Sequence, residues 1–376
     1  MRKKGLSMAL ALLLGTALAG CADSGNETPG DDKDKLKVYT TIFPVQDFAE
    51  KIGGDAIEVE SVYPANADAH TFEPSTKDMV AMAEADAFIY SGVGLEGFAE
   101  KATETLQSED VKIIKAGEGI ELADSSHNEE AHAEEEGHDD HAHEEAHAEE
   151  EGHDDHAHEE EHASEEGHDD HAHEEEHASE EGHDDHAKEE EHAAEEEHAH
   201  DHGDKDPHIW LDPALAIQMA ENIKNGLTEL HPESKEEFEK NFNTLKADLE
   251  KLDADYKETI GAAKNKEILV SHAAYGYWEN RYGIEQISVL GLSPTQEPSQ
   301  KQLQTIVETA KENKINYVIF ENNVNSKIAD IVKNEIGAES LTLSNLESIS
   351  EEDAKNNEDY FSIMKRNLET LKTALQ

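Results

Sequence analysis

Residues 232–260 read PESKEEFEKNFNTLKADLEKLDADYKETI, and this stretch decides the architecture of the chain. Its large apolar residues recur at steps of three or four and form one stripe along a helix, made by Phe238, Phe242, Leu245, Leu249, Leu252, Tyr256 and Ile260. At 1.5 Å per residue this helix would be about 43 Å long, which exceeds the width of a small lobe. A coiled-coil partner is the alternative, but the stripe is short and charged residues fill the other face. We therefore expect a linking helix that packs across two lobes.

On both sides of the linking helix, short apolar segments alternate with amphipathic ones, which is typical of parallel sheets flanked by helices. Strands are predicted at residues 37–42, 57–63, 87–91, 111–115, 267–271, 285–290 and 317–320. Helices are predicted at residues 45–52, 75–84, 212–230, 299–312, 325–336 and 353–375. The expected fold is α/β, with two lobes that are each a mainly parallel sheet flanked by helices, bridged by one long rigid helix.

A tract of 79 residues between Ser126 and Asp204 interrupts the first lobe. It holds 20 of the 24 histidines and 36 of the 89 acidic residues, and it contains no Val, Ile, Leu, Phe, Tyr or Trp. Four copies of a unit such as EEGHDDHAHEEEHAS repeat with a period of 15 residues. Neutral imidazole is the commonest protein ligand for zinc, and carboxylates add charge attraction. The tract is therefore interpreted as a disordered, low-selectivity metal collector, with a simple acidic spacer as the alternative.

The amino terminus has the organisation of an export signal. Basic residues 2–4 precede an apolar run over residues 6–18, which is too short for a membrane-spanning helix of about 20 residues. The run stops at Leu-Ala-Gly-Cys21, which resembles a bacterial lipobox and implies that Cys21 carries a lipid. An ordinary signal peptide with a chance cysteine is the alternative. Because Cys21 is the only cysteine, we expect no disulfide and no thiolate metal ligand in the mature protein.

These observations predict the domain organisation. Residues 1–20 form a signal peptide, and 21–34 a tether. Residues 35–230 form the N-terminal metal-binding lobe, into which the loop 124–205 is inserted. The linking helix occupies 231–264, and 265–376 form the C-terminal metal-binding lobe. The net charge of −58, to which the tract contributes 36 acids and one base, excludes nucleic acid as a partner and favours cations.

Four potential metal donors outside the tract lie at predicted strand ends or at a helix start, where open parallel sheets bind ligands. His70 follows the second strand, His208 precedes a helix, His272 ends the EILVS strand, and Glu321 ends the YVIF strand. A single histidine at a strand end is more often structural. Two such positions in each lobe of an exported chain with a histidine tract indicate a metal site.

The motifs around these residues, DAHTFEPS, DPHIWLDP and SHAAYGYW, resemble the metal-binding solute-binding proteins of ABC transporters, in their zinc-uptake branch. The resemblance covers residues 36–376 outside the tract. It implies two α/β lobes bridged by a long helix, a ligand set of His70, His208, His272 and Glu321, and no enzymatic activity. The fourth ligand varies in the family, and a water or another carboxylate is the alternative to Glu321. The implied partners are an ABC permease with its ATPase and, through Cys21, the outer face of the bacterial cell membrane. A monomer is expected.

Three imidazoles and one carboxylate suit four-coordinate zinc better than manganese, which accepts an oxygen-rich shell and is the alternative metal. Asp68 and Glu73 are interpreted as capping or supporting groups, and His231 as a surface residue. An exported zinc hydrolase and a metal-sequestering or adhesive lipoprotein are the alternative functions. We expect zinc to leave the tract as pH falls, because protonated imidazole binds no metal, and we expect a pre-positioned cleft site to be less affected.

Overall fold

The computed structural model describes residues 35–124, 205–322 and 326–376, and it contains two four-stranded parallel sheets. The first sheet consists of β1 (Leu36–Thr40), β2 (Ile57–Ser61), β3 (Ala87–Tyr90) and β4 (Lys112–Lys115). The second consists of β5 (Glu267–Val270), β6 (Glu285–Ser288), β7 (Tyr317–Glu321) and β8 (Glu339–Leu343). The strand orders are β2-β1-β3-β4 and β6-β5-β7-β8, so the two lobes repeat one topology. The predicted fold class of two α/β lobes is confirmed.

The helices of the described residues flank these sheets. They are α1 (Phe43–Gly53), α2 (Thr76–Ala83), α3 (Ala99–Gln107), α4 (Pro213–Leu230), α5 (Lys235–Gly261), α6 (Gly276–Tyr282), α7 (Gln300–Glu312), α8 (Lys327–Ile336), α9 (Glu351–Lys355) and α10 (Tyr360–Ala374). None of them combines the length and the apolar character that a membrane span would need.

Helix α5 is the helix that the apolar stripe predicts. All seven stripe residues are buried, and the helix packs against α1 and α4 on one side and against α6 and α10 on the other. Residues Pro232–Ser234 form a separate 3-10 turn, so α5 begins three residues later than Pro232. Its stripe belongs to one continuous apolar core that includes residues of both sheets. A smaller core lies beneath α7 and α8 in the second lobe.

The sequence predicts the start of a helix correctly where a polar side chain caps the first backbone amides. Asp212 accepts a hydrogen bond from the amide of Ala214, and Pro213 begins α4 as predicted, because proline fits the first helical position. Ser75 and Asp78 form a capping box at the start of α2. The helix predicted over 353–375 is instead two helices, because Asn357 is left-handed (φ 54°) and Asp359 caps a new helix.

The main differences are elements that the sequence analysis did not predict, namely α3, α6 and β8. Strand β8 has only one buried residue, Leu343, so it lacks the apolar pattern by which strands were recognised. The signal peptide, the tether with Cys21 and the tract lie outside the described residues.

The two ends that flank the inserted segment are held together. Asp124 and Lys205 form an antiparallel bridge and an ion pair, and the amide of Asp206 donates to the carbonyl of Ala123 at 2.9 Å. The chain therefore leaves the first lobe and re-enters it at one point.

Gly226 allows α4 to lie directly on β4. A methyl group at this position would lie 2.6 Å from two side-chain carbons of Ile114. Helix propensity alone predicts that Gly226→Ala stabilises the fold by about 1 kcal/mol. We expect the opposite sign, a loss of about 1–2 kcal/mol in the free energy of unfolding, because the added methyl overpacks the sheet. Gly261→Ala, where a methyl would meet nothing within 4 Å, is the matched control. Urea unfolding measures both, and a Gly226→Ala protein as stable as the parent would contradict this packing argument.

Candidate metal centre

His70 is held in the loop after β2 by its own neighbours. Asp68 accepts a hydrogen bond from the amide of His70 at 2.9 Å, which is the backbone-capping role expected of Asp68. The hydroxyl of Tyr63 donates to the carbonyl of Ala69 at 3.3 Å. The imidazole is almost completely buried, with 3% of the side chain exposed. The loop thus directs the ring towards the interior.

His208 is fixed by Asp206, two residues earlier. One carboxylate oxygen of Asp206 accepts from both the amide (2.9 Å) and the Nδ1 (2.8 Å) of His208. Because Nδ1–H donates to this carboxylate, Nε2 is the nitrogen left to bind a metal. The ring is fully buried, and the Ile209–Leu211 turn leads from it into α4.

His272 follows β5, and Glu321 ends the neighbouring strand β7. Nδ1 of His272 lies 3.0 Å from Glu321 Oε2, and Nε2 lies 2.8 Å from the carbonyl of Leu292. The hydroxyl of Tyr275 donates to Glu321 Oε1 at 3.0 Å. Both ring nitrogens of His272 therefore lie within hydrogen-bond distance of an oxygen atom. The contact between Nδ1 and Glu321 holds the imidazole in its orientation.

Glu347 lies in the loop after β8 and was not among the predicted residues. Asn345 Oδ1 accepts from its amide at 3.2 Å, and its carbonyl accepts from the amide of Phe43 at 3.2 Å. The indole N–H of Trp210 donates to the carbonyl of Asn345 at 2.7 Å, which joins this loop to the segment that carries His208. The side chain of Glu347 is fully buried.

These side chains converge from both lobes. One ring nitrogen each from His70, His208 and His272 and one carboxylate oxygen of Glu347 lie within 4.8 Å of one another. Glu347 Oε1 lies 3.3 Å from His70 Nε2 and 3.5 Å from His208 Nε2. The centres of the imidazole rings are 5.0–5.6 Å apart. The described residues thus form a compact group with three nitrogen donors and one oxygen donor.

The charges in this group favour protonated imidazoles. Burial lowers the pKa of His208, but hydrogen bonds and charge from Asp206 and Glu347 outweigh burial and raise it to about 9. Burial likewise lowers the pKa of His272, and the charge and hydrogen bond of Glu321 reverse the shift so that it is raised. Burial raises the pKa of Glu347, yet the neighbouring histidines hold it well below its usual range. A metal ion that binds here would displace protons from the imidazoles and would supply the positive charge in their place.

Three of the four predicted donors, the histidines, therefore lie in this group, and the fourth, Glu321, does not. Glu321 supports His272 from outside the four-residue group, so the geometry does not support Glu321 as the fourth donor. Glu347 was not predicted because β8, the strand before it, lacks the apolar pattern of a strand. His231, interpreted from the sequence as a surface residue, is partly buried, and its Nδ1 lies 2.9 Å from Ser234 Oγ, outside this group.

Comparison with known proteins gives consistent matches. The sequence model of the family described as ZnuA, zinc-uptake complex component A, periplasmic, matches residues 38–374. The zinc-binding lipoprotein AdcA of Streptococcus pneumoniae is 32% identical over 369 residues, which cover 98% of this chain and 60% of AdcA. The high-affinity zinc uptake system protein ZnuA of Bacillus subtilis is 31% identical over 359 residues, covering 95% of this chain and 93% of that protein.

Solved structures agree with these relatives. The Zn(II)-bound ZnuA-like domain of Streptococcus pneumoniae AdcA matches with a TM-score of 0.62 and 30% identity, covering 91% of this chain and 99% of the domain. The chain thus spans about 60% of the full AdcA protein, and almost all of its ZnuA-like domain is matched.

Proposed function

Because this chain belongs to the ZnuA family of zinc-uptake components, we propose that it is an extracytoplasmic receptor that captures Zn²⁺ and delivers it to an ABC permease for import. The observation that carries the proposal is the group of four buried donors contributed by both lobes. In this proposal His70, His208, His272 and Glu347 bind zinc, and Glu321 orients His272. Three imidazoles and one carboxylate match the donors that zinc prefers in four-coordinate sites, which also argues against manganese.

Binding fits this geometry better than catalysis. A catalytic zinc keeps a coordination position open for water or substrate, whereas four protein donors fill a tetrahedral shell. The side chains of His208, His272 and Glu347 are fully buried, which leaves no room beside them for an organic substrate. Hydrolysis also needs a general base, and each carboxylate in direct contact with the histidines has a role in binding or orienting them.

The membrane arrangement forms the second part of the proposal. Cys21 would carry the lipid that retains the receptor at the outer face of the cell membrane, with residues 21–34 as a tether. The permease and its ATPase would be the partners, because the family is that of a zinc-uptake complex component. The tract of residues 126–204 would collect zinc. The support for these roles is the Leu-Ala-Gly-Cys motif and the histidine content of the tract.

Zinc stoichiometry of the purified mature chain tests the function. We expect one zinc equivalent that resists a strong chelator and several weaker equivalents that do not. Deleting residues 126–204 should remove the weak equivalents and retain the tight one, whereas His208→Ala should remove the tight one only. A metal-sequestering protein would show the reverse dependence, and turnover of an ester or peptide panel that requires zinc would favour the hydrolase. A deletion that leaves total zinc unchanged would reduce the tract to a spacer.

A further inference from the structure

Tyr277, on α6, contacts Asp206, the residue that orients His208. Its hydroxyl donates to the carbonyl of Asp206 at 2.7 Å and accepts from the amide of Ala123 at 3.2 Å. The amide of Asp206 donates in turn to the carbonyl of Ala123. One phenol oxygen from α6 therefore ties together both backbone segments that flank the insertion.

The next contact leads to the metal centre. The Asp206 carboxylate fixes the ring of His208 through Nδ1 and also accepts from its amide. Asp206 and Tyr277 are both buried, with 2% and 4% exposure, so water does not readily replace these bonds. The orientation of His208 consequently depends on a hydroxyl that comes from the other lobe.

Gly276 supplies a second, independent contact at the same place. A methyl group on Gly276 would lie 2.6 Å from Asp206 Oδ2, closer than any real contact of that kind. The backbone of α6 therefore lies against the carboxylate of Asp206 and restricts its position. Only glycine allows this approach, while the adjacent Tyr277 holds the main chain of Asp206.

We propose that Tyr277 is a positioning residue for the metal centre, acting across the lobes through Asp206 on His208, with Gly276 making room for the carboxylate. The inference rests on the proposed zinc site. Metal affinity is sensitive to groups that orient a ligand, and their loss commonly costs about tenfold to a hundredfold. Tyr277 is one contact further from the metal than Asp206, so we expect Tyr277→Phe to weaken zinc binding about threefold to tenfold.

The experiment measures the zinc affinity of the full mature chain by chelator competition, at free zinc low enough that only the tight site fills. Tyr277→Phe removes one hydroxyl and keeps the ring. Tyr256→Phe is the matched control, because Tyr256 is also buried and its hydroxyl donates to the carbonyl of Met364 on α10 at 2.8 Å. Urea unfolding of both variants reports their stability. Weaker zinc binding by Tyr277→Phe alone, at similar stability, is the expected result.

A double-mutant cycle separates positioning from a general structural effect. In an Asp206→Ala background the path to His208 is already cut, so Tyr277→Phe should cost no further affinity. Gly276→Ala should weaken binding in the parent and lose its effect in the same background. The absorption spectrum of one Co²⁺ equivalent should shift in Tyr277→Phe, because it reports ligand geometry.

Two results would overturn the inference, namely unchanged zinc affinity in Tyr277→Phe, or an equal loss with and without Asp206. Absence of a tight site in the parent chain would instead overturn the proposed function, and this inference with it.

Discussion

Glu347→Ala will weaken zinc binding at the proposed site by about two to three orders of magnitude, and Glu321→Ala will weaken it by only about one or two. A structural zinc site provides about 10–16 kcal/mol from four ligands, so one lost ligand costs about 2.5–4 kcal/mol. Glu347 faces the Nε2 atoms of His70 and His208, whereas Glu321 contacts one of the three histidines, His272, and accepts from the hydroxyl of Tyr275. A supporting carboxylate commonly contributes about tenfold to a hundredfold.

Chelator competition on the chain without residues 126–204 measures this difference free of the tract. Glu339→Ala is the control, since Glu339 is an exposed carboxylate on β8 itself. Glu347→Gln keeps the shape of the side chain while removing its charge, and thermal unfolding of the metal-free variants checks that each is folded. A larger loss in Glu321→Ala than in Glu347→Ala would restore the ligand set that the family resemblance implied.

Zinc affinity of the cleft will fall steeply with pH, by about a hundredfold between pH 8 and pH 6. The pKa of His208 is raised to about 9 in the metal-free protein, so below pH 9 zinc must displace a proton from its imidazole. One displaced proton makes the apparent affinity fall about tenfold for each unit of pH. The raised pKa of His272 changes the zinc affinity in the same direction, so the affinity falls further as the pH falls. The low pKa of Glu347 keeps this carboxylate ionised and able to bind zinc.

This expectation revises the sequence-based one, in which a pre-positioned cleft site would be less sensitive to pH than the tract. Proton release by calorimetry in buffers of different ionisation enthalpy measures the number of protons that zinc displaces. Asp206→Asn removes the adjacent charge, so it should lower the pKa of His208 and flatten the pH dependence while weakening binding at high pH. An affinity that does not change between pH 8 and pH 6 would contradict the assignment of charge in this site.

The three histidines could be found from the sequence because each stands beside a strong local signal. His272 ends an apolar strand, His208 precedes an Asp-Pro helix start, and His70 lies in the turn before the capping box of α2. These signals depend on neighbours in the chain. They place each donor at an element end without needing to know how the lobes pack.

Glu347 gave no such signal. It lies in SNLESIS, a polar run that resembles a solvent-exposed loop, after a strand with a single buried residue. The amides of Ala69 and Phe43 donate to Glu347, and the indole of Trp210 donates to Asn345 in the same loop. All three donors are distant from Glu347 in sequence. The repeated strand order of the two lobes was the available clue. A fourth strand in the first sheet calls for a fourth in the second, and the loop after it lies at the ligand-binding edge.

The two chain ends that flank the insertion are bonded to each other, and this bears on how the number of repeats can change. Ala123 and Asp206 are bonded to each other, so the lobe itself fixes the distance between the two chain ends. For a flexible loop in general, doubling the length costs only about 0.6 kcal/mol of closure entropy. One further 15-residue unit is far less than a doubling of the 79-residue tract. If the tract has the disorder and the metal-collecting role proposed for it, a change in repeat number should be nearly neutral for folding and should alter the zinc capacity in steps.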